Sequence, residues 1–247
     1  MNMDTDTLAC NGLPVFLERT EEIKNWIQGL SYEQQKKLWS CNDKIAELNR
    51  ERFKTMALER FLTPALLSYE GIAYQYMAPY VFDDAQWAYV QEHLRILSGF
   101  YGILKPLDGV VPYRLEMQAR AAVGGHKNLY DFWGDSIYKQ LIEDDRNQLI
   151  INLASAEYSK CIEKYLTGDA RYVTVVFGEW KDGKVIQKGT MAKMARGEMV
   201  RYMAGVQAED LEPLKRFDRL GYAWSEALSD EKTLVFIKDS EIKQTVE

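Results

Sequence analysis

What most limits the folds open to this chain is the alternation of two hydrophobic periods along it. Over residues 18–56 Ile23, Trp26, Ile27 and Leu30 recur at i, i+3, i+4 and i+7, and Leu38, Ile45, Leu48 and Phe53 continue the spacing beyond Gly29-Leu30-Ser31. Ser31 with Gln34 three residues later has the pattern of a capping box, so this stretch predicts two amphipathic helices. Pro64-Ala65-Leu66-Leu67-Ser68-Tyr69 is a short strand-like run ended by Gly71. Asp83-Asp84 then opens a helix whose apolar positions Trp87, Val90, Leu94 and Leu97 run up to Ser98-Gly99. A further helix is expected over 128–145, with Leu129, Phe132, Trp133, Ile137 and Leu141 on one side, and Leu149-Ile150-Ile151-Asn152-Leu153 reads as a buried strand. Asp182-Gly183 between the β-rich runs 171–180 and 184–189 is a strong short-range hairpin signal. A helix over 190–205 and a strand over 232–238 complete the pattern. Helices and strands mix without a strict βαβ rhythm, a Pro/Gly/Ser-rich linker or a repeat, which predicts one α+β domain over residues 1–247.

Composition narrows the class. With 47% apolar and 28% charged residues and only 6 Pro among 247, the chain can bury a real core and is not a disordered or low-complexity sequence. No apolar run approaches the roughly 18 residues needed to span a bilayer. The acidic start, residues 1–7, lacks the basic and apolar regions of a secretory signal. Cys10, Cys41 and Cys161 are scattered, with no CxxC spacing, and His93 and His126 are the two imidazoles. Neither a disulfide framework nor a metal centre is expected, no cofactor is implied, and a reducing cytoplasm is the expected location.

The net charge of −6 argues against a polyanion partner only until its distribution is considered. Residues 91–130 hold five Lys/Arg against three Asp/Glu, and residues 171–205 hold seven against three, while the remaining windows are acidic. Such segregation suits either a basic face for phosphate or two solvated charge clusters.

Four segments stand out as candidates for chemistry. In Leu94-Arg95-Ile96-Leu97-Ser98-Gly99-Phe100-Tyr101-Gly102-Ile103-Leu104-Lys105-Pro106-Leu107-Asp108, two glycines three apart between apolar runs suggest a tight helix-to-helix turn. Its backbone N–H groups would face a phosphate, with Arg95 and Lys105 adding charge. This resembles a helix-hairpin-helix, although that motif carries Gly-x-Gly and this chain Gly-x-x-Gly; a plain helix C-cap at Gly99 or Gly102 is the alternative. In Pro112-Tyr113-Arg114-Leu115-Glu116-Met117, Arg114 and Glu116 would share one face of an extended segment, as an acid/base pair or as a structural salt bridge. Asn152, Ser155, Glu157 and Tyr158 fall where a strand ends and a helix begins, a common ligand position, with Ser155 as a helix N-cap the competing explanation. Lys193 and Arg196 lie within one turn of the 190–205 helix, with the small Ala195 and Gly197 between them and the next turn. That arrangement suits phosphate or a solvated basic face. Walker-type loops, HExxH, CxxC and GxSxG are absent from the sequence.

Taken in order, these segments resemble the bacterial YaaA family of peroxide stress resistance proteins. The blocks that carry the resemblance are residues 91–108 and 112–117, Leu129-Tyr130-Asp131-Phe132-Trp133-Gly134-Asp135, residues 151–158, and Ala192-Lys193 with Ala195-Arg196-Gly197. They are collinear from about residue 15 to Lys238. The resemblance implies a cytosolic α+β protein that binds DNA without sequence specificity, duplex or branched, and limits oxidative damage when peroxide and iron are present. It further implies a helix-hairpin-helix at 97–107 with Gly99 and Gly102, and a basic cleft including Arg95, Lys105, Arg114, Lys160, Lys193 and Arg196. No catalytic reaction comes with it. The competing function is an enzyme acting on a nucleotide or other phosphorylated small molecule, with Arg114, Glu116, Asn152, Ser155, Tyr158, Lys193 and Arg196 lining one pocket. An iron-sequestering role finds no evident ligand cluster. The family usually begins with a β-strand running into a Ser-Pro-Ala-Lys-like segment, whereas this sequence starts Met1-Asn2-Met3-Asp4, so either the start is misassigned or that strand and its lysine are lacking. Met194 stands where the family's second lysine is expected.

Overall fold

The computed structural model describes Met1, Met3 and residues 8–144, 149–168 and 170–238, so the chain's first segment, from which the missing strand was inferred, lies mostly outside the described residues. The fold is α+β, as the alternating periods predict. It opens with three helices rather than two: α1 (Leu17–Gln28), α2 (Tyr32–Trp39) and α3 (Asp43–Lys54). The capping box forms, Ser31 accepting from the Gln34 N–H while the Gln34 side chain accepts from the Ser31 N–H. The additional break falls at Ser40, left-handed at φ 44°, and at Asn42, whose side chain accepts the Ile45 N–H at 3.0 Å and starts α3.

Next come β1 (Thr63–Pro64), α4 (Ala65–Ser68) and α5 (Ile72–Met77), so the apolar run after Pro64 is a helical turn and not a strand. α6 (Asp84–His93) stops well before Ser98, and β2 (Ile96–Ser98), β3 (Gly102–Leu104) and β4 (Gly109–Val110) follow. The helix expected over 128–145 is two, α7 (Leu129–Trp133) and α8 (Ser136–Asp144), separated at Gly134 with φ 54°. The rest of the chain forms β5 (Leu149–Asn152), α9 (Ala156–Glu163), β6 (Arg171–Lys181), β7 (Lys184–Ile186), α10 (Gly189–Val206), β8 (Tyr222–Trp224) and β9 (Thr233–Lys238). Among the described residues no helix is long and apolar enough to cross a membrane.

The main correction concerns residues 97–107, which do not form a helix-hairpin-helix. β2 and β3 pair antiparallel, Ile96 opposite Leu104, Leu97 opposite Ile103 and Ser98 opposite Gly102. The turn is tied by Ser98, whose Oγ accepts the N–H groups of Phe100 at 3.1 Å and Tyr101 at 2.9 Å. Gly102 adopts φ 75°, open to glycine at no steric cost. Gly99 is required for a different reason: a Cβ there would lie 2.8 Å from the Leu115 carbonyl oxygen. Both glycines are buried, and the Gly99 carbonyl accepts the Trp133 indole N–H at 3.1 Å. They close a packed β-turn and present no phosphate-binding loop.

The chain divides into two compact units that alternate along the sequence, so neither is a contiguous stretch. The first comprises Met1–Glu70, Gln91–Asp144 and Ala154–Leu166. Its core is aromatic: Trp39 stacks on Phe53, Phe53 meets Phe100 edge-on, and Phe100 lies 4.8 Å from Tyr113, centroid to centroid. The Tyr113 hydroxyl sits 2.6 Å from that of Tyr69 and 2.5 Å from Ser98 Oγ, so burying these phenols leaves their polar ends partnered.

The second unit comprises Gly71–Val90, Asp145–Leu153 and Thr167–Glu247. Its sheet runs β5-β6-β9-β8 with β7 beside β6; β5, β6 and β9 are parallel, and β8 and β7 antiparallel to their neighbours. Val173, Val175 and Phe177 of β6 alternate inward, and Phe177 packs against Phe217, Tyr222 and Phe236. Asp182 and Gly183, both at positive φ, make the expected tight turn between Lys181 and Lys184. α10 lies against α5 so closely that a Cβ on Gly197 would fall 1.9 Å from the Ala73 carbonyl oxygen.

Candidate nucleic-acid interface

In the first unit, Arg95 and Lys105 are brought to one cleft by two local devices. Arg95 follows the end of α6, and its guanidinium Nη1 donates to the carbonyls of Glu92 and Leu94, each at 2.9 Å, and of Gln91 at 3.4 Å. Those are carbonyls that a helix end leaves without amide partners, and the negative end of the helix dipole favours the cation there. Lys105-Pro106-Leu107-Asp108 is a β-turn, with the Asp108 N–H donating to the Lys105 carbonyl at 3.1 Å. The Asp108 carboxylate accepts the Lys105 N–H at 2.8 Å, and the Gln91 side chain accepts the Leu107 N–H at 3.0 Å, tying the turn to α6. The segment around Gly12 is stitched on from the other side: Asn11 donates to the Leu107 carbonyl at 2.8 Å and Gly109 to the Gly12 carbonyl at 2.9 Å.

The result is an open cleft of about 330 Å³ whose polar walls are Asn11, Gln91, Arg95, Lys105, Asp108 and Gln140. Among the described residues the lining holds two cations, three amides and one carboxylate, the last engaged by a backbone N–H, a set that can take an oxyanion. Asn11, Gln91 and Gln140 come from three separate segments, so no local pattern could have assembled them. The turn residue Asp108 was legible, since Pro at the second position with Asp closing the turn is ordinary turn chemistry.

The other predicted residues of this unit do different work. Residues 113–117 are extended, with Tyr113, Leu115 and Met117 buried and Arg114 and Glu116 on the outer face, as the period-two reading expects. Arg114 Nη2 meets Glu116 Oε1 at 2.7 Å, so the two neutralise each other, and Asn49 brackets the Arg114 backbone by accepting its N–H at 2.9 Å and donating to its carbonyl at 3.1 Å. Asn49 was missed because its partner lies 65 residues away. Ser155 occupies the N-cap of α9, where its carbonyl accepts from Tyr158 and Ser159 at 2.9 Å while its side chain makes no capping bond. Burial pushes the Tyr158 phenol well above its ordinary range, with Glu157 and Glu116 adding to the effect. Lys160 is exposed on α9 and is not part of the cleft wall.

In the second unit, Asn152 at the end of β5 is buried and donates to Thr174 Oγ1 at 3.3 Å across the β5–β6 register. On α10 Lys193 is exposed and Arg196 half-buried, its Nε without a hydrogen-bond partner and its guanidinium pKa lowered by desolvation. The small residues beside them admit the backbone of α5.

Burial raises each cysteine thiol above its ordinary value, Cys161 to about 12, which disfavours the thiolate form.

The family model described as Peroxide stress protein YaaA matches residues 1–228 of this chain. A UPF0246 protein of Desulfitobacterium hafniense is 56% identical over 238 residues, covering 96% of this chain and 94% of that protein. A UPF0246 protein of Agathobacter rectalis is also 56% identical, over 96% of this chain and 94% of its own length, and one of Pediococcus pentosaceus is 49% identical over 97% and 94%.

Proposed function

We propose, from the premise that this chain belongs to the peroxide stress protein YaaA family, that it acts in the cytoplasm by binding DNA through the phosphate backbone, without sequence preference. The observation that carries this is the cleft of the first unit, where Arg95 and Lys105 are held by helix-end and turn geometry beside three side-chain amides. Cations and amides offered from rigid elements are what phosphate contacts require, and such contacts position a protein on nucleic acid without reading bases. The raised thiols favour protection by binding over peroxide reduction at cysteine. Arg114 already pairs with Glu116 at 2.7 Å, which supports this reading over a site for a small phosphorylated substrate.

The test is a titration of labelled duplex and four-way-junction DNA with purified protein across a salt series. Each neutralised phosphate should contribute about −0.9 to the log–log slope, so several contacts give a steep fall in affinity with salt. Absence of binding at low salt would sink the proposal.

A further inference from the structure

Phe61 combines two costs that a soluble protein ordinarily avoids. Its side chain is 79% exposed, and its backbone is left-handed at φ 54°, a region where a bulky residue is an outlier. Nothing about the loop makes these costs incidental, because the chain is anchored on both sides. Before it, Leu58 is buried and Arg60 donates to the Ala57 carbonyl at 3.3 Å. After it, Leu62 packs on Gly109, where an added Cβ would meet Leu62 Cδ1 at 2.7 Å and Cys10 Sγ at 3.2 Å. Thr63 and Pro64 then pair with Val110 and Gly109. The ring is therefore presented outward from a fixed loop. That loop packs on Gly109, adjacent in the chain to Asp108, and shares it with Cys10, adjacent to Asn11, both Asp108 and Asn11 being walls of the basic cleft.

The geometry points to Phe61 as a base-stacking residue for nucleic acid with unpaired bases, held along its backbone by the Arg95 and Lys105 cleft. A basic groove that tracks phosphates together with an aromatic face that takes a base is the general solution for single strands, and every base offers a π-face. The chain neighbours fit this partner: the ring follows exposed Glu59 and Arg60, and the Arg60 cation suits a phosphate backbone. Strain at an exposed aromatic is retained when the ring has work to do. This inference rests on the proposal that the cleft binds nucleic acid.

The experiment compares wild type with Phe61→Gly, Phe61→Ala and Phe61→Trp, using fluorescein-labelled oligothymidylate, the same length of duplex, and an oligonucleotide carrying 2-aminopurine. Phe61→Gly and Phe61→Ala should weaken oligothymidylate binding roughly 5- to 100-fold, with less effect on duplex. Phe61→Trp should restore it, and the 2-aminopurine emission should change with wild type and Phe61→Trp but not with Phe61→Gly. Phe61→Gly should melt no lower than wild type, because glycine suits the left-handed backbone. Unchanged oligothymidylate affinity in Phe61→Gly and Phe61→Ala, while wild type binds, overturns the stacking role and leaves the cleft standing. No binding of either nucleic acid by wild type overturns both. A lower melting temperature in Phe61→Gly and Phe61→Ala, or a shift from oligomer to monomer in sedimentation, makes the ring a structural or protein-docking residue and overturns the inference.

Discussion

The cleft around Arg95 and Lys105 and the ridge carrying Arg114 and Glu116 belong to the same unit and use the same residue types, yet they anchor their cations by different local devices. On the ridge the cation meets a carboxylate two residues away at 2.7 Å, and the backbone beneath is fixed by Asn49 and by the close approach of Gly99. In the cleft Asp108 engages a backbone N–H, the guanidinium binds carbonyls, and amides complete the wall. Helix-end carbonyls orient the Arg95 guanidinium, and a carboxylate offsets the charge of Arg114. The difference teaches that the number of cations in a window says little about polyanion binding; what closes each cation decides it.

The largest expected effect tests the ridge's buried underside. Burial raises the phenols of Tyr101 and Tyr113 and takes the Cys161 thiol to about 12 from an ordinary 9.0. Below the unfolded values both states hold these protons. As pH rises above about 9 for the thiol and about 10 for the phenols, the unfolded chain loses them first. Stability should then fall by about 1.4 kcal/mol per pH unit for each fully buried group until the folded values are reached. Thermal melts between pH 8 and 12 should show a flat region followed by a steep decline, and a flat profile to pH 12 would contradict the buried hydroxyl core.

Gly99→Val should come next. Its Cβ would meet the ridge backbone at Leu115 O, 2.8 Å, and Met117 N, 3.0 Å. Overpacking against backbone costs about 3 kcal/mol, which lowers the melting temperature by roughly 6–12 °C. A helix-hairpin-helix turn would instead keep the fold and lose only DNA binding, so calorimetry together with a binding titration separates the two accounts. The smallest effect should be that of Glu116→Gln. The ion pair is partly exposed on both sides, with side chains 39% and 43% accessible, and such pairs contribute about 0.2–1 kcal/mol. Chemical denaturation should barely register the change, and a large loss would mean that the ridge is more than a neutralised surface.

Much of the fold was legible locally. The Ser31–Gln34 capping box, the Asp182-Gly183 turn and the alternation through residues 113–117 all depend on neighbours within a few positions, and all formed. Two glycines three apart were misread because the spacing marks a tight turn but does not state whether helices or strands flank it. Ile96 and Ile103, β-branched and facing each other's strands, carried the missing information. Gly197 was named from the sequence as a small residue beside Lys193 and Arg196, and the structure shows that the space a Cβ would need there is taken by the Ala73 carbonyl of α5. The cleft itself was half visible: Arg95 and Lys105 were named from the sequence, while Asn11, Gln91 and Gln140 come together only through tertiary contacts. Phe61 carried no sequence signal at all, since exposure and a left-handed φ are properties of the folded chain.

The cleft claim is tested most directly by the salt dependence of DNA binding in Lys105→Gln beside wild type. Lys105 is oriented by its turn through backbone bonds that glutamine can keep. If its ammonium neutralises a phosphate, the variant should bind more weakly and its log–log salt slope should be shallower by about 0.9. The melting temperature should be unchanged. An equal slope and equal affinity in the variant would contradict the assignment of the cleft as the phosphate-binding surface.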